Sequence, residues 1–314
     1  MNSIRPAHHI VLAVCLLLTS PLLSATRDST ADHQSSPNQT RPLERIAVIG
    51  ASATSGWGIL LRYMDEENML SSKTISMKEI VEEVVTVDDI EIMGKGDGMF
   101  FMSPQRAGAQ QVDAARAFNP TLVFALDFLF WYGYGNRDVD GRFIPSGKAG
   151  EQARLELLEK GLEMLDTFEC PVILGDFPDM SDAVGYMLAA NQVPSKGTLE
   201  LLNTRVKEWA ASRPDMHVLG MSRLVKDMRS DEPFVVGRQQ WPSGSRSRFM
   251  QNDNLHPRLD GLIVLVQESG DLLAEQLEDV DLADFDFNLI EVRNRLYETR
   301  KPEGMIARPY PGVN

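Results

Sequence analysis

Short apolar runs alternate along the chain with stretches whose apolar residues recur at helical spacing. "RIAVIG", residues 45–50, is a continuous β-branched run and predicts a strand. "WGILLRYMDEENML", residues 57–70, predicts a helix, and "SMKEIVEEVV" predicts a second one leading into the strand "VTVDDIEIM". The helix "RAGAQQVDAARAF" then precedes the strand "PTLVFALDF", and "AGEQARLELLEKGLEML" precedes "CPVILGDF". After them "LLNTRVKEWAAS" precedes "MHVLGM", and from about Leu282 "DFNLIEVRNRLYETR" predicts a short amphipathic helix followed by a Pro-rich tail. Strands separated by helices indicate an α/β fold: a three-layer α/β/α sandwich around a mainly parallel central sheet. In such sheets ligands bind at the carboxyl ends of the strands, so the residues just after each strand become the candidates for chemistry.

Composition sharpens this picture. With 314 residues and 43% hydrophobic content the chain can bury a large core. A formal net charge of -14 weighs against nucleic acid or an anionic membrane as partner, because both are repelled by such a surface. Residues 1–25 read as an export signal: Arg5, the apolar run "IVLAVCLLLTSPLL", then small residues at Ser24 and Ala25. That run is shorter than the roughly 20 residues a bilayer span requires, so a cleaved leader is expected, with no integral span in the mature chain and a periplasmic or extracellular location. Residues 26–43, rich in Ser, Thr, Asn and Pro, read as a flexible linker. A main domain is expected over residues 44–280, with 281–314 as a helix and tail packed on it. Beyond the leader only Cys170 remains, at the start of an apolar strand, where a buried structural thiol is expected.

The first strand runs into "GASATSGWG", and three functions compete for that cluster of small residues. A dinucleotide fingerprint fails because Gly50, Gly56 and Gly58 miss the required spacing and Asp88 and Asp89 come too late for the ribose acid. A phosphate loop fails for want of a lysine. A nucleophilic serine requires a base, since a free hydroxyl is a weak nucleophile at neutral pH. His33 lies in the linker and His217 inside a strand, but "QNDNLHPRLDG" places Asp253 three residues before His256. A carboxylate at that spacing can bend back onto Nδ1, fix the tautomer and stabilise the imidazolium formed on proton abstraction.

These residues resemble the SGNH or GDSL hydrolases. "GASATSG" resembles the family's first block with Ala51 in place of its Asp, and "DNLHP" resembles its last block. The resemblance spans roughly Arg45 to Leu277 and implies a flavodoxin-like architecture with Ser52 as nucleophile, His256 as base and Asp253 as its orienter. Thr54, two past the serine, departs from the Gly-x-Ser-x-Gly elbow of other α/β hydrolases. The family's middle blocks supply an oxyanion hole from a Gly and an Asn. Gly94, Gly96 and Gly98 are open to the first role, with Gly96 and Gly98 the selected pair; Asn136 fits the second by letters but comes several residues late. Asn252 and Asn254 are further substitutes.

In the third block Asp127 stands where the family has Gly and Leu129 where it has Asn. An ionised Asp127 beside a developing oxyanion opposes it, so Asp127 either pairs with a cation or backbone donors or titrates at a raised pKa. The run "FLFWYGYG" offers Phe128, Phe130, Trp131, Tyr132 and Tyr134 either as buried packing or as an aromatic wall; Asp127, Phe130, Trp131 and Tyr132 are the substrate-binding candidates. Asp176, Asp179 and Asp182 read as a solvated, helix-capping loop, with no metal ligands expected. Together these features predict an exported hydrolase that cleaves a small-molecule ester, an acylated carbohydrate or lipid among the candidates, without a cofactor. A binding module on the same fold and a sugar O-acyltransferase are the alternatives.

Overall fold

A computed structural model describes residues 41–307. The expected leader, most of the linker and the last residues of the tail lie outside them. The chain enters on β1 (Arg45–Gly50), followed by β2 (Leu60–Met64), β3 (Leu70–Thr74), α1 (Met77–Val84) and β4 (Glu91–Gly96). Next come α2 (Pro104–Phe118), β5 (Leu122–Ala125), a short α3 (Phe130–Tyr134), α4 (Lys148–Leu165) and β6 (Val172–Gly175). Then follow α5 (Lys196–Ala211), β7 (Met216–Leu219), α6 (Met221–Met228), β8 (Phe234–Val236), β9 (Gln239–Trp241) and α7 (Arg246–Phe249). The chain closes with α8 (Leu259–Gln276), α9 (Leu289–Thr299) and β10 (Ile306–Ala307).

Five strands form an all-parallel sheet in the order β4-β1-β5-β6-β7. Their continuous apolar character follows from burial on both faces: β1 is buried from Ile46 to Gly50, and β5 and β6 throughout. Helices α2, α4 and α5 pack on one another as one layer, while α1, α8 and α9 pack together as another. The predicted α/β sandwich is therefore the observed fold. Strand order reverses between β1 and β5, and the crevice outside the carboxyl ends of two such strands is where open α/β sheets bind ligands. The segments leaving these two strands carry Ser52 and Asp127.

One predicted element is corrected. Residues 57–70 hold no helix; β2 and β3 pair as an antiparallel hairpin, with β10 on the other edge of β2. The reason is a period of two: Ile59, Leu61 and Tyr63 are buried, whereas Leu60 and Arg62 between them are exposed. Asp65 turns the hairpin by accepting from the N–H groups of Glu67 and Met69. The second strand also begins later than predicted, at Glu91, after Asp89 in the left-handed region at φ 59°. Leu43, at the end of the expected linker, is buried in the core.

The carboxyl-terminal helices are pinned by an ion triad. Asp260, 1% exposed in the first turn of α8, accepts from Arg248 of α7 at 2.6 Å and from Arg293 of α9 at 3.1 Å. Removing the carboxylate strands two cations, one of them buried, so Asp260→Ala is expected to cost ~3–5 kcal/mol of stability. Urea unfolding of the variant checks this, and a loss under about 1 kcal/mol, the range of an exposed pair, contradicts it.

Candidate active site

Ser52 follows β1 in a tight turn, and His256 sits in the loop that enters α8. Although 204 residues apart in sequence, His256 Nε2 lies 2.9 Å from Ser52 Oγ. On the other side of the ring, Nδ1 lies 2.7 Å from Asp253 Oδ2. Asp253 Oδ1 also accepts from the N–H groups of Leu255 and His256, at 2.9 and 3.0 Å. Burial works to raise the Asp253 pKa, but the hydrogen bonds from the His256 ring and from the two N–H groups outweigh it and hold the carboxyl below its ordinary range. A carboxylate that stays ionised keeps the proton on Nδ1 and leaves Nε2 free to accept the serine proton.

Two further residues hold the histidine, and the sequence reading did not single them out. The Trp57 ring stacks on His256 with centroids 5.8 Å apart. Gln251 donates from Nε2 to the carbonyls of Trp57 and Pro257, at 2.7 and 2.9 Å, lacing the histidine loop to the serine turn. Trp57 lay in plain view within the quoted serine motif. Gln251 carries no such signal, because its partners are backbone carbonyls brought together only by the fold.

Beside Ser52 and His256 opens a cavity of about 40 Å³. Its apolar wall comprises Phe130, Met180, Met221, Val225, Met228 and Met250. Asp127 reaches its edge, but the carboxylate is engaged with the turn after β1, accepting from the N–H groups of Ala51, Ala53 and Thr54. Backbone donors, rather than a cation, are thus its partners.

The remaining candidates fall in different places. Phe130 lines the cavity, whereas Trp131 and Tyr132 are buried away from it. Tyr132 belongs to the core, its hydroxyl donating to the Pro104 carbonyl and its ring packed on Phe100 and Phe128. Trp131 packs between Phe101 and Phe130. Asn136 follows α3, where its carbonyl accepts from Ile144, and does not line the cavity. Gly96 supports the serine turn by its lack of a side chain: a Cβ there would lie 2.5 Å from the Ser55 nitrogen. Gly98 lies against Trp57 and Ser55. Asn254 is committed to Arg246 and the Asp182 carbonyl, and Asn252 is exposed. Asp176, Asp179 and Asp182 are dispersed among Ser222, Ser181 and Arg229. Cys170 precedes β6, at the opposite end of the sheet, and burial pushes its thiol up to about 12.

No family model and no curated protein matches the chain. Among solved structures it is similar to a gut microbial diltiazem-metabolizing enzyme, at 12% identity and a TM-score of 0.45, over 74% of this chain and 48% of that one. The chain thus spans about half the length of that enzyme. It is also similar to a protein of Streptococcus pneumonia assigned as a platelet activating factor, at 14% identity and a TM-score of 0.41, over 76% of this chain and 86% of the other. Among the described residues no helix is long and apolar enough to cross a membrane.

Proposed function

We propose that this protein is a serine esterase of the SGNH or GDSL type. The observation that carries the reading is the hydrogen-bonded series Asp253–His256–Ser52, closed on both ring nitrogens at the mouth of an apolar cavity. In this mechanism His256 Nε2 takes the Ser52 proton as Oγ attacks the ester carbonyl, and Asp253 stabilises the imidazolium. The Ser52 N–H, which has no acceptor among the described residues, donates to the oxyanion. Collapse of the tetrahedral intermediate returns the proton to the departing alcohol. Water activated by the same histidine then releases the acyl group. The steps need no metal or organic cofactor. The apolar run "IVLAVCLLLTSPLL", read as a leader, supports an exported enzyme acting in the periplasm or outside the cell.

The small cavity and its methionines support an ester with a short, unbranched acyl group, because thioether side chains adapt to slender apolar ligands. A fluorophosphonate is expected to label Ser52, and p-nitrophenyl acetate to be hydrolysed. The octanoate ester is expected to show kcat/KM at least about tenfold below the acetate, the order of discrimination an apolar pocket exerts on added methylenes. Met228→Ala, which opens the cavity wall, narrows that gap. No labelling and no turnover favour a non-catalytic binding module on the same fold; an octanoate preference sinks the short-chain reading alone.

A further inference from the structure

The backbone from Ala51 to Trp57 is folded so that its N–H groups divide into two sets. Those of Ser55, Gly56 and Trp57 donate to the carbonyls of Ala51, Ala53 and Ser52. Those of Ala51, Ala53 and Thr54 donate to a side chain from the segment leaving β5: Ala51 to Asp127 Oδ1 at 2.9 Å, Ala53 and Thr54 to Oδ2 at 2.8 and 3.2 Å. The Thr54 hydroxyl adds a fourth donor, 2.6 Å from Oδ1. Each carboxylate oxygen therefore holds two donors. The Ser52 N–H is the one in this run without an acceptor among the described residues, and Ser52 lines the cavity. The fit is close, since a Cβ at Gly50 would lie 2.1 Å from Asp127 Oδ1.

An uncompensated carboxylate beside an oxyanion is a liability, yet one saturated by four donors acts as a template for the turn that supplies them. Resting on the esterase reading above, we propose that Asp127 is a positioning residue which shapes the nucleophile turn from the turn after β5, leaving the Ser52 N–H as its unengaged donor toward substrate. The sequence raised Asp127 as a candidate substrate contact. With its oxygens committed to the turn it acts through Ser52 instead.

Asp127→Asn tests this in the full chain. The amide keeps the shape but must turn its N–H₂ toward at least one backbone N–H that has lost its acceptor. The expected result is a fall in kcat for p-nitrophenyl acetate of about 100-fold, the size of a lost oxyanion donor, with KM changed by less than about threefold. Fluorophosphonate labelling slows in parallel, since it passes through the same donors. The downfield proton shared by His256 and Asp253, read by NMR, stays at its wild-type position; a purely structural role shifts that proton and KM along with kcat. Retention of kcat within about threefold of wild type overturns the proposal. Should Asp127→Asn not fold, Thr54→Val removes a single donor while sparing the carboxylate, and is expected to lower kcat by about tenfold; unchanged turnover in that variant overturns the proposal equally. Wild-type protein that neither turns over nor labels brings down the esterase reading and this inference with it, whereas an active wild type beside an equally active Asp127→Asn brings down this inference alone.

Discussion

Replacing Ser52 with alanine is expected to lower kcat by about 10⁶, the loss seen when the nucleophile of a Ser-His-Asp set is removed. The argument is geometric. Among the described residues His256 Nε2 has one partner, Ser52 Oγ at 2.9 Å, and once that oxygen is gone the proposed base has no hydroxyl to activate. The fold is expected to survive, because the Ser52 carbonyl still accepts from Trp57 N–H and Ser55 Oγ in the variant. KM therefore stays near wild type, and the variant retains only what binding and the oxyanion donors supply, roughly 10³ to 10⁴ over water. Steady-state turnover of p-nitrophenyl acetate, with mass spectrometry of the phosphonylated peptide, provides the check. Activity above about one part in a thousand of wild type places the nucleophile on another residue.

Asp253→Asn is expected to lower kcat by about 10⁴ while preserving the shape of the loop. The carboxylate accepts the Nδ1 proton at 2.7 Å; an amide presenting N–H₂ there forces the other tautomer, which puts a proton on Nε2 facing Ser52 Oγ. The same substitution has a signature in stability against pH. Because the folded pKa of Asp253 lies below the unfolded value of about 3.9, ionisation favours the native state, and that contribution is fully present above the unfolded pKa. It is lost as pH falls through the lower folded value. Wild type is thus expected to outlast Asp253→Asn in urea at neutral pH, with the gap closing in acid. A gap that widens on acidification reverses the sign and refutes the assigned pairing.

Most of the sheet was legible because a strand buried on both faces is written as an uninterrupted apolar run, as in Ile46–Ile49 and Val172–Leu174. The hairpin after the serine turn was not, since "ILLRYM" supports both periods over so short a window and only burial of alternate residues decides between them. At the site, Asp253 and His256 were legible from their spacing and Ser52 from the resemblance of its motif, and the structure brings the three together. Asp127 was visible as an anomaly, but its partners were not: a carboxylate that caps backbone N–H groups 73 to 76 residues away leaves no pattern in sequence. The same holds for Asp260, whose pairing with Arg293 depends on how α8 and α9 cross.

The span of 204 residues between Ser52 and His256 sets the order in which the site is completed during synthesis. A nascent chain that has emerged only as far as β7 contains every strand of the parallel sheet and the serine turn, yet lacks His256. The histidine loop follows, and Arg293, which pairs with Asp260 at the start of α8, lies on a helix made later still. The contact between His256 and Ser52 is therefore a property of the finished fold rather than of any growing intermediate. During refolding, closure of the His256–Ser52 contact is expected to trail the recovery of sheet structure, as a late event set by long-range closure.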